Sequence, residues 1–471
     1  MHSTFTALFT IVLSTTLGFA QNLIPDKADK DSIMIRSIYD EALVNGQSYE
    51  NLRSLCKDVG SRLSGSPEAE KAVEWGKQVL DSLKFDKVYL QPIDVPFWER
   101  GDREFAAIKA NKNMSLDIKT LGGSVATNGR IEAEVVEVQG LEEVKQLGRE
   151  KLEGKIVFYN RPMDPRPIST FESYGGCVDQ RYWGAVEAAQ QGAIAVMVRS
   201  MTLLDDHAHA HTGSMGYKEG VTKIPSVALS TQSANQLHRQ LESGGATVIL
   251  DINPRTNENV KSFNVIGEIT GKTYPDKIIT VGGHLDSWDV GEGAHDDGAG
   301  IAHSIEALRI LKSLQYQPHY TLRVVLFMNE ENGNMGGKGY AAKSKEKNEF
   351  HLAAIETDRG GFSPRGFSIK PMNENQVGFI QQFAPLLKDY QLHHFEAGYA
   401  GVDINPLAEE KNIVNPDMFM LGLVPDSQRY FDFHHCDDDV FENVNKRELE
   451  LGCAAIASMI YLLDQHVKQL K

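Results

Sequence analysis

Apolar side chains recur at helical spacing through residues 31–58, at Ile33, Ile35, Ile38, Tyr39, Leu43, Leu52 and Leu55, with Asn45-Gly46 breaking the run. Two amphipathic helices account for that spacing most simply. The turn-rich stretch Gly60-Ser61-Arg62-Leu63-Ser64-Gly65-Ser66-Pro67 then precedes a third helix over about 68–83, and residues 87–96 alternate apolar and polar as a strand does. From about 116 to 253 the pattern becomes short strand-like runs at 133–138, 155–159, 193–198 and 247–252, interrupted by one helix near 183–191. After residue 263, strand-like runs (278–282, 322–328, 353–356, 418–423) alternate with helix-like ones (300–314, 376–390, 447–465).

That alternation predicts an α/β domain with a mixed, mostly parallel sheet flanked by helices. Residues 116–254 read as a β-rich insertion, leaving 21–115 and 255–471 to form one larger domain. A length of 471 residues fits two such units better than a single core. The apolar run over residues 4–20 ends in Gly18-Phe19-Ala20, so 1–20 is expected to be a cleaved signal peptide and the protein secreted or periplasmic. No other stretch is long and apolar enough to cross a bilayer.

Composition narrows the chemistry only slightly. With 41% apolar and 24% charged residues the chain is ordinary globular material. A net charge of −16 argues against nucleic acid and anionic membranes as partners, because neutralising phosphates takes clustered Lys and Arg. The four cysteines, Cys56, Cys177, Cys436 and Cys453, show neither CxxC nor zinc-finger spacing, and no disulfide pairing can be read from them.

In open α/β sheets function gathers at the carboxyl ends of strands. There the chain carries His284 and Asp286, then His295-Asp296-Asp297 just before a helix, Asn329-Glu330-Glu331, Glu356-Thr357-Asp358, and Tyr430 to His434-His435 with Asp439. Each has an ordinary reading taken alone: a hydrogen-bonded histidine, a solvated turn, a helix cap, a surface loop. Their recurrence in one domain changes the balance. Converging carboxylates repel and take up protons unless cations neutralise them. Imidazole and carboxylate donors together suit zinc, and a bridging carboxylate suits two ions about 3.5–4 Å apart. Of two adjacent glutamates, one can then serve as a ligand while the other moves the proton.

On Gly283-His284-Leu285-Asp286-Ser287, His295-Asp296-Asp297-Gly298-Ala299-Gly300, Asn329-Glu330-Glu331, Glu356-Thr357-Asp358 and Phe433-His434-His435 with Asp439, the chain resembles the co-catalytic zinc aminopeptidases of peptidase family M28. The resemblance covers nearly the whole mature chain, the 60–67 segment included, and implies a zinc aminopeptidase-like fold whose insertion is a protease-associated domain. It implies a di-zinc exopeptidase acting on small peptides or dipeptides, with two Zn²⁺ per chain. His284 and Asp358 would bind one ion, Glu331 and His435 the other, and Asp296 would bridge them. Glu330 would be the general base, Asp286 would hydrogen-bond the second nitrogen of His284, Asp297 would shape the bridging loop, and Asp439 would support His435. The spacing to Asp439 selects His435 over His434, which is left near the substrate; Val440 stands where the family often has threonine. Tyr430 is either a packed aromatic or a substrate contact. The resemblance also hints at a homodimer. Two alternatives remain open, a single-zinc glutaminyl cyclase-like enzyme and a non-catalytic receptor-like scaffold. A further metal-type pattern, His207-Ala208-His209-Ala210-His211, alternates so as to put three rings on one face, but the family has no ligand there and adjacent Asp205-Asp206 suits a polar loop.

Overall fold

The computed structural model describes residues 27–110 and 114–467, so the expected signal peptide lies outside the described residues. The chain builds two eight-stranded sheets. The larger contains β1 (Lys87–Val95), β2 (Val260–Ile269), β3 (Tyr274–His284), β4 (Tyr320–Phe327), β5 (Phe350–Glu356), β6 (Pro364–Lys370), β7 (His394–Ala397) and β8 (Phe419–Pro425). They lie in the order β1-β2-β4-β3-β5-β8-β6-β7. The middle of the sheet, β4-β3-β5-β8, is parallel, while β1, β2 and β6 join antiparallel to their inward neighbours. The fold class is therefore α/β with a mixed sheet.

The middle strands are mostly apolar because helices cover both faces. Every residue of β4 is buried. Its alternate side chains go to opposite sides, Val324 and Leu326 into the main core and Val325 and Phe327 into a smaller one beneath Tyr340 and Ala341. The helices that pack on this sheet include α1 (Pro67–Ser82), α2 (Ala299–Ser313), α3 (Met335–Glu346) and α4 (Lys446–His466). Of these, α1, α2 and α4 lie on the main face and α3 on the other. Local sequence starts the helices: Ser66 accepts the Ala69 amide at 3.1 Å with Pro67 in the first turn, and Asn445 accepts the amides of Arg447 and Glu448.

The second sheet runs, in spatial order, through 114–116, 104–108, 247–252, 131–138, 156–159, 195–199, 226–229 and 118–120. It thus takes in Glu104–Ile108, which lies before residue 116 and pairs with Thr247–Ile252. Three helices of 12 or 13 residues, Leu141–Leu152, Val178–Gln190 and Thr231–Glu242, lie in this region where the hydrophobic pattern announced one. The first of them buries only Val144 and Leu152 and kinks at Gly148, which leaves too thin an apolar stripe to read. The sheet has its own core, and a separate cluster joins Val157, Tyr159 and Ala185 to Phe362, Tyr430 and Phe431 of the larger unit. All four cysteines are buried and unpaired. Among the described residues no helix is long and apolar enough to cross a membrane.

Leu326 is fully buried and packs where α1 approaches the sheet at Gly76. Leu326→Ala is expected to cost about 2–5 kcal/mol, read as a lowered urea midpoint with an unchanged m-value.

Candidate metal centre

The loops that follow β3, β4, β5 and β8 meet at the carboxyl ends of the parallel strands. β3 ends on His284, and Asp296 stands between two histidines: its Oδ1 is 3.1 Å from His284 Nε2 and its Oδ2 is 3.0 Å from His435 Nε2. Asp358 Oδ1 lies 3.6 Å from the same nitrogen of His284, and Glu331 Oε2 lies 3.2 Å from that of His435. Among the described residues two groups of donors are close enough to hold an ion, His284 with Asp296 and Asp358, and Asp296 with His434 and His435. Both contain Asp296. His434 stacks on His435 at 3.5 Å between ring centres, but its Nε2 stays 3.8 Å from Asp296. His435 makes the shorter approaches. It is carried by a short helical turn, Tyr430–Phe433, rather than by a strand end.

Buried hydrogen bonds hold these loops in place. Asp297 accepts the backbone amides of His284 and Gly300, each at 3.0 Å. A Cβ on Gly283 or Gly300 would run into the Asp297 carboxylate and the Thr357 carbonyl, so both positions admit only glycine at this approach. Asp286 reaches His284 Nδ1 through its backbone carbonyl at 3.0 Å, not through the expected carboxylate, which stands 3.8 Å away. That carboxylate accepts the amides of Asn329 and Glu330 at 2.7 and 3.0 Å and so shapes the glutamate loop. Asp439, expected beside His435, instead accepts the amides of His295 and Asp296 at 2.7 and 3.1 Å. The spacing in sequence could not distinguish a bond to the ring from a bond to a facing backbone.

Burial drives the electrostatics. It lifts the carboxyl of Glu330 well above the usual range, with the charges of Asp358, Glu331 and Asp296 adding to the effect against His284. Glu331 is pushed up to about 7 and Glu356 to about 8, again by burial first and a neighbouring aspartate second. Asp296 goes the other way: burial would raise it, but the two imidazoles on either side hold it well below the carboxylate range. Three side-chain atoms here, Glu331 Oε1, Asp358 Oδ1 and His435 Nδ1, are buried without a hydrogen-bond partner. Buried carboxylate oxygens left unpaired are costly, and a cation satisfies them. The donor set, nitrogen from imidazole and oxygen from carboxylate, fits zinc.

The centre opens into a cavity of about 380 Å³ walled by both units, with Glu330, Asp358, Arg359 and Tyr399 from one and Tyr174 and Arg181 from the other. Glu330 keeps part of its surface open to it. Tyr430 is both packed, stacking on Phe171, and part of the wall. Four contributors had no chemical signal in sequence: Arg62, Ser64, Arg181 and Tyr399. Ser64 accepts Asn329 Nδ2 at 2.6 Å. Arg62 is fully buried and donates to the carbonyls of Leu285, Glu292, Gly293 and Gly60. Its only trace was the glycine- and serine-rich 60–67 segment, which the family resemblance takes in without giving Arg62 a role. The rings of His207, His209 and His211 do gather, yet among the described residues they form no group of three donors suited to an ion.

The model for peptidase family M28 matches residues 264–459. The chain is 34% identical to carboxypeptidase Q of Bos taurus and of Homo sapiens over 434 residues in each case, covering 92% of this chain and 88% of theirs. Its structure is similar to that of an M28 peptidase precursor from Shewanella amazonensis SB2B, with 31% identity, a TM-score of 0.86, and coverage of 93% of this chain and 97% of that one. A zinc aminopeptidase from Bacillus subtilis, 19% identical, superposes with a TM-score of 0.63 over 90% of this chain and 96% of its own, a likeness of fold alone.

Replacing Arg62 removes the donors for several buried carbonyls at once. Arg62→Met is expected to lower stability by at least about 3 kcal/mol, and Arg62→Lys to recover only part of it because a single ammonium cannot reproduce the fork; urea melts of the metal-free protein measure both.

Proposed function

Since the chain belongs to peptidase family M28, we propose that it is a di-zinc exopeptidase that hydrolyses small peptides, with Glu330 as general base. The observation that carries this reading is Asp296, whose two oxygens face two different histidines so that one carboxylate serves both groups of donors. In this reading His284 and Asp358 hold one ion with Asp296, and Glu331 and His435 hold the other. When bound, the ions supply the positive charge that lowers the pKa of water and polarises the peptide carbonyl.

The protein's own groups then do the rest. Glu330 sits beside the ligand glutamate with its backbone amide anchored on Asp286, and its carboxyl has a raised affinity for protons. It takes the proton from the attacking water and passes it to the leaving amine. Asp286 and Asp297 fix the loops that present His284, Glu330 and Glu331. A single-zinc cyclase or a scaffold without catalysis would leave one donor group idle, and neither accounts for the base beside it.

The relatives include proteins named as carboxypeptidases and as aminopeptidases, so the end of the peptide that is read has to come from the cavity. Arg181 favours the carboxyl end. It is 6% exposed, donates to the Tyr174 hydroxyl at 2.7 Å and to the Thr212 carbonyl at 3.4 Å, and keeps its Nε buried without a partner. Most other buried arginines, Arg100, Arg309 and Arg323 among them, are ion-paired. Arg181 has no ion pair among the described residues. A guanidinium held this way suits the free α-carboxylate of a substrate.

Glu330→Gln is expected to retain zinc, measured by metal analysis, while kcat falls about 10²–10⁴-fold; activity near that of the parent protein would remove Glu330 from the role of base. For Arg181→Met, the preference for a dipeptide over its carboxyl-terminal amide, taken as a ratio of kcat/KM values, should shrink about 10- to 100-fold. A ratio that does not move would reassign the anchor.

A further inference from the structure

The histidine tract of the insertion makes no metal site among the described residues, but it is not idle. His211 is 2% exposed, and its Nδ1 lies 2.7 Å from the backbone carbonyl of His434. A carbonyl can only accept, so Nδ1 carries the hydrogen and Nε2 is left to accept from His207 Nδ1, 3.0 Å away. The other nitrogen of His207 reaches Asp438 Oδ2 at 2.8 Å. The chain of bonds therefore leaves the 434–438 loop at one carbonyl, crosses two imidazoles of the second sheet's unit, and returns to the same loop at Asp438. Next to it the Thr212 amide donates to the His435 carbonyl at 2.9 Å, and Lys119 pairs with Asp437 at 3.1 Å.

What this grip holds is unusual backbone. His435 has φ of 62°, in the left-handed region that side-chain-bearing residues seldom occupy, and such a conformation persists only where the surroundings impose it. The carbonyls on both sides of that φ, those of His434 and His435, are the ones the insertion binds. Among the described residues His435 Nδ1 has no hydrogen-bond partner, so beyond the approaches of Nε2 to Asp296 and Glu331 the ring is placed by its backbone.

We propose that His211 is a positioning residue for the metal centre, clamping the backbone of His434-His435 so that His435 Nε2 faces Asp296 and Glu331. The inserted unit is then part of the centre rather than a cover over it. This rests on the reading of His435 as a zinc ligand.

The test is calorimetric titration of metal-free protein with zinc, with cobalt absorption spectra as a signature of the geometry at each position. His211→Phe keeps a ring and removes the donor; its second zinc equivalent should bind about 10- to 100-fold more weakly, with an altered cobalt spectrum. His211→Asn restores a donor close to Nδ1 and should return the affinity to within a few-fold, a rescue that a merely space-filling role would not give. If His211→Phe fails to fold, His207→Leu, which has neither donor nor acceptor, breaks the same chain at its more open end and should weaken the second equivalent about tenfold; unchanged binding there overturns the proposal. His435→Ala separates the two claims. If it still binds two equivalents, the ligand reading fails and this inference with it. If it loses one while His211→Phe binds both as the parent does, the positioning role alone is wrong.

Discussion

Burying Asp296, Asp297, Glu331 and Glu356 around the half-buried Asp358 concentrates negative charge where water screens it poorly. Two imidazoles cannot balance that many carboxylates, which is why burial and mutual repulsion lift Glu330, Glu331 and Glu356 together while Asp296, flanked by both rings, moves down. The same imbalance leaves oxygens of Glu331 and Asp358 without partners. Cations resolve all of it at once. Much of the surrounding architecture can be understood as the means of holding so much like charge at such short range.

That means is mainly backbone amide and carbonyl groups. Asp297, Asp286, Asp439 and Glu356 each accept two or more amides from neighbouring loops, so the carboxylates tie the loops and the loops keep the carboxylates apart. Arg62 supplies a buried positive charge from the N-terminal segment and takes up the carbonyls of the loop between His284 and Asp296. Glycines at 283 and 300 let the Asp297 carboxylate come against the strand and helix it joins.

The second sheet contributes from the opposite side. Through Arg181 and Tyr174 its unit forms a wall of the cavity, and through His207, His211 and Thr212 it grips the loop that carries His434 and His435. A shared apolar cluster around Tyr430 and Phe431 keeps the two units in register. The larger unit thus brings the carboxylates and Arg359 to the cleft, and the smaller unit a second guanidinium, Arg181.

The sequence alone determined the α/β alternation, because apolar runs in β3, β4, β5 and β8 are covered on both faces and long apolar helical runs, 299–313 and 446–466, fall between and after them. It also pointed to the candidate donors, since His284, Glu331 and Asp358 stand at or just past those strand ends, Asp296 and His435 lie in the loops beyond, and residue type sets donor chemistry. Only the tertiary structure decided how they are held. The bond from Asp286 is made by its carbonyl to the ring and by its carboxylate to other loops, and Asp439 binds the backbone of Asp296; both choices depend on which atoms face one another across long gaps in the chain. Arg62 and Arg181 carry no chemical pattern of their own, and the alternation that contains His211 points to a metal ligand, whereas its ring lies against the His434 carbonyl. A side chain that works on a segment far along the chain leaves its mark in space and not in periodicity.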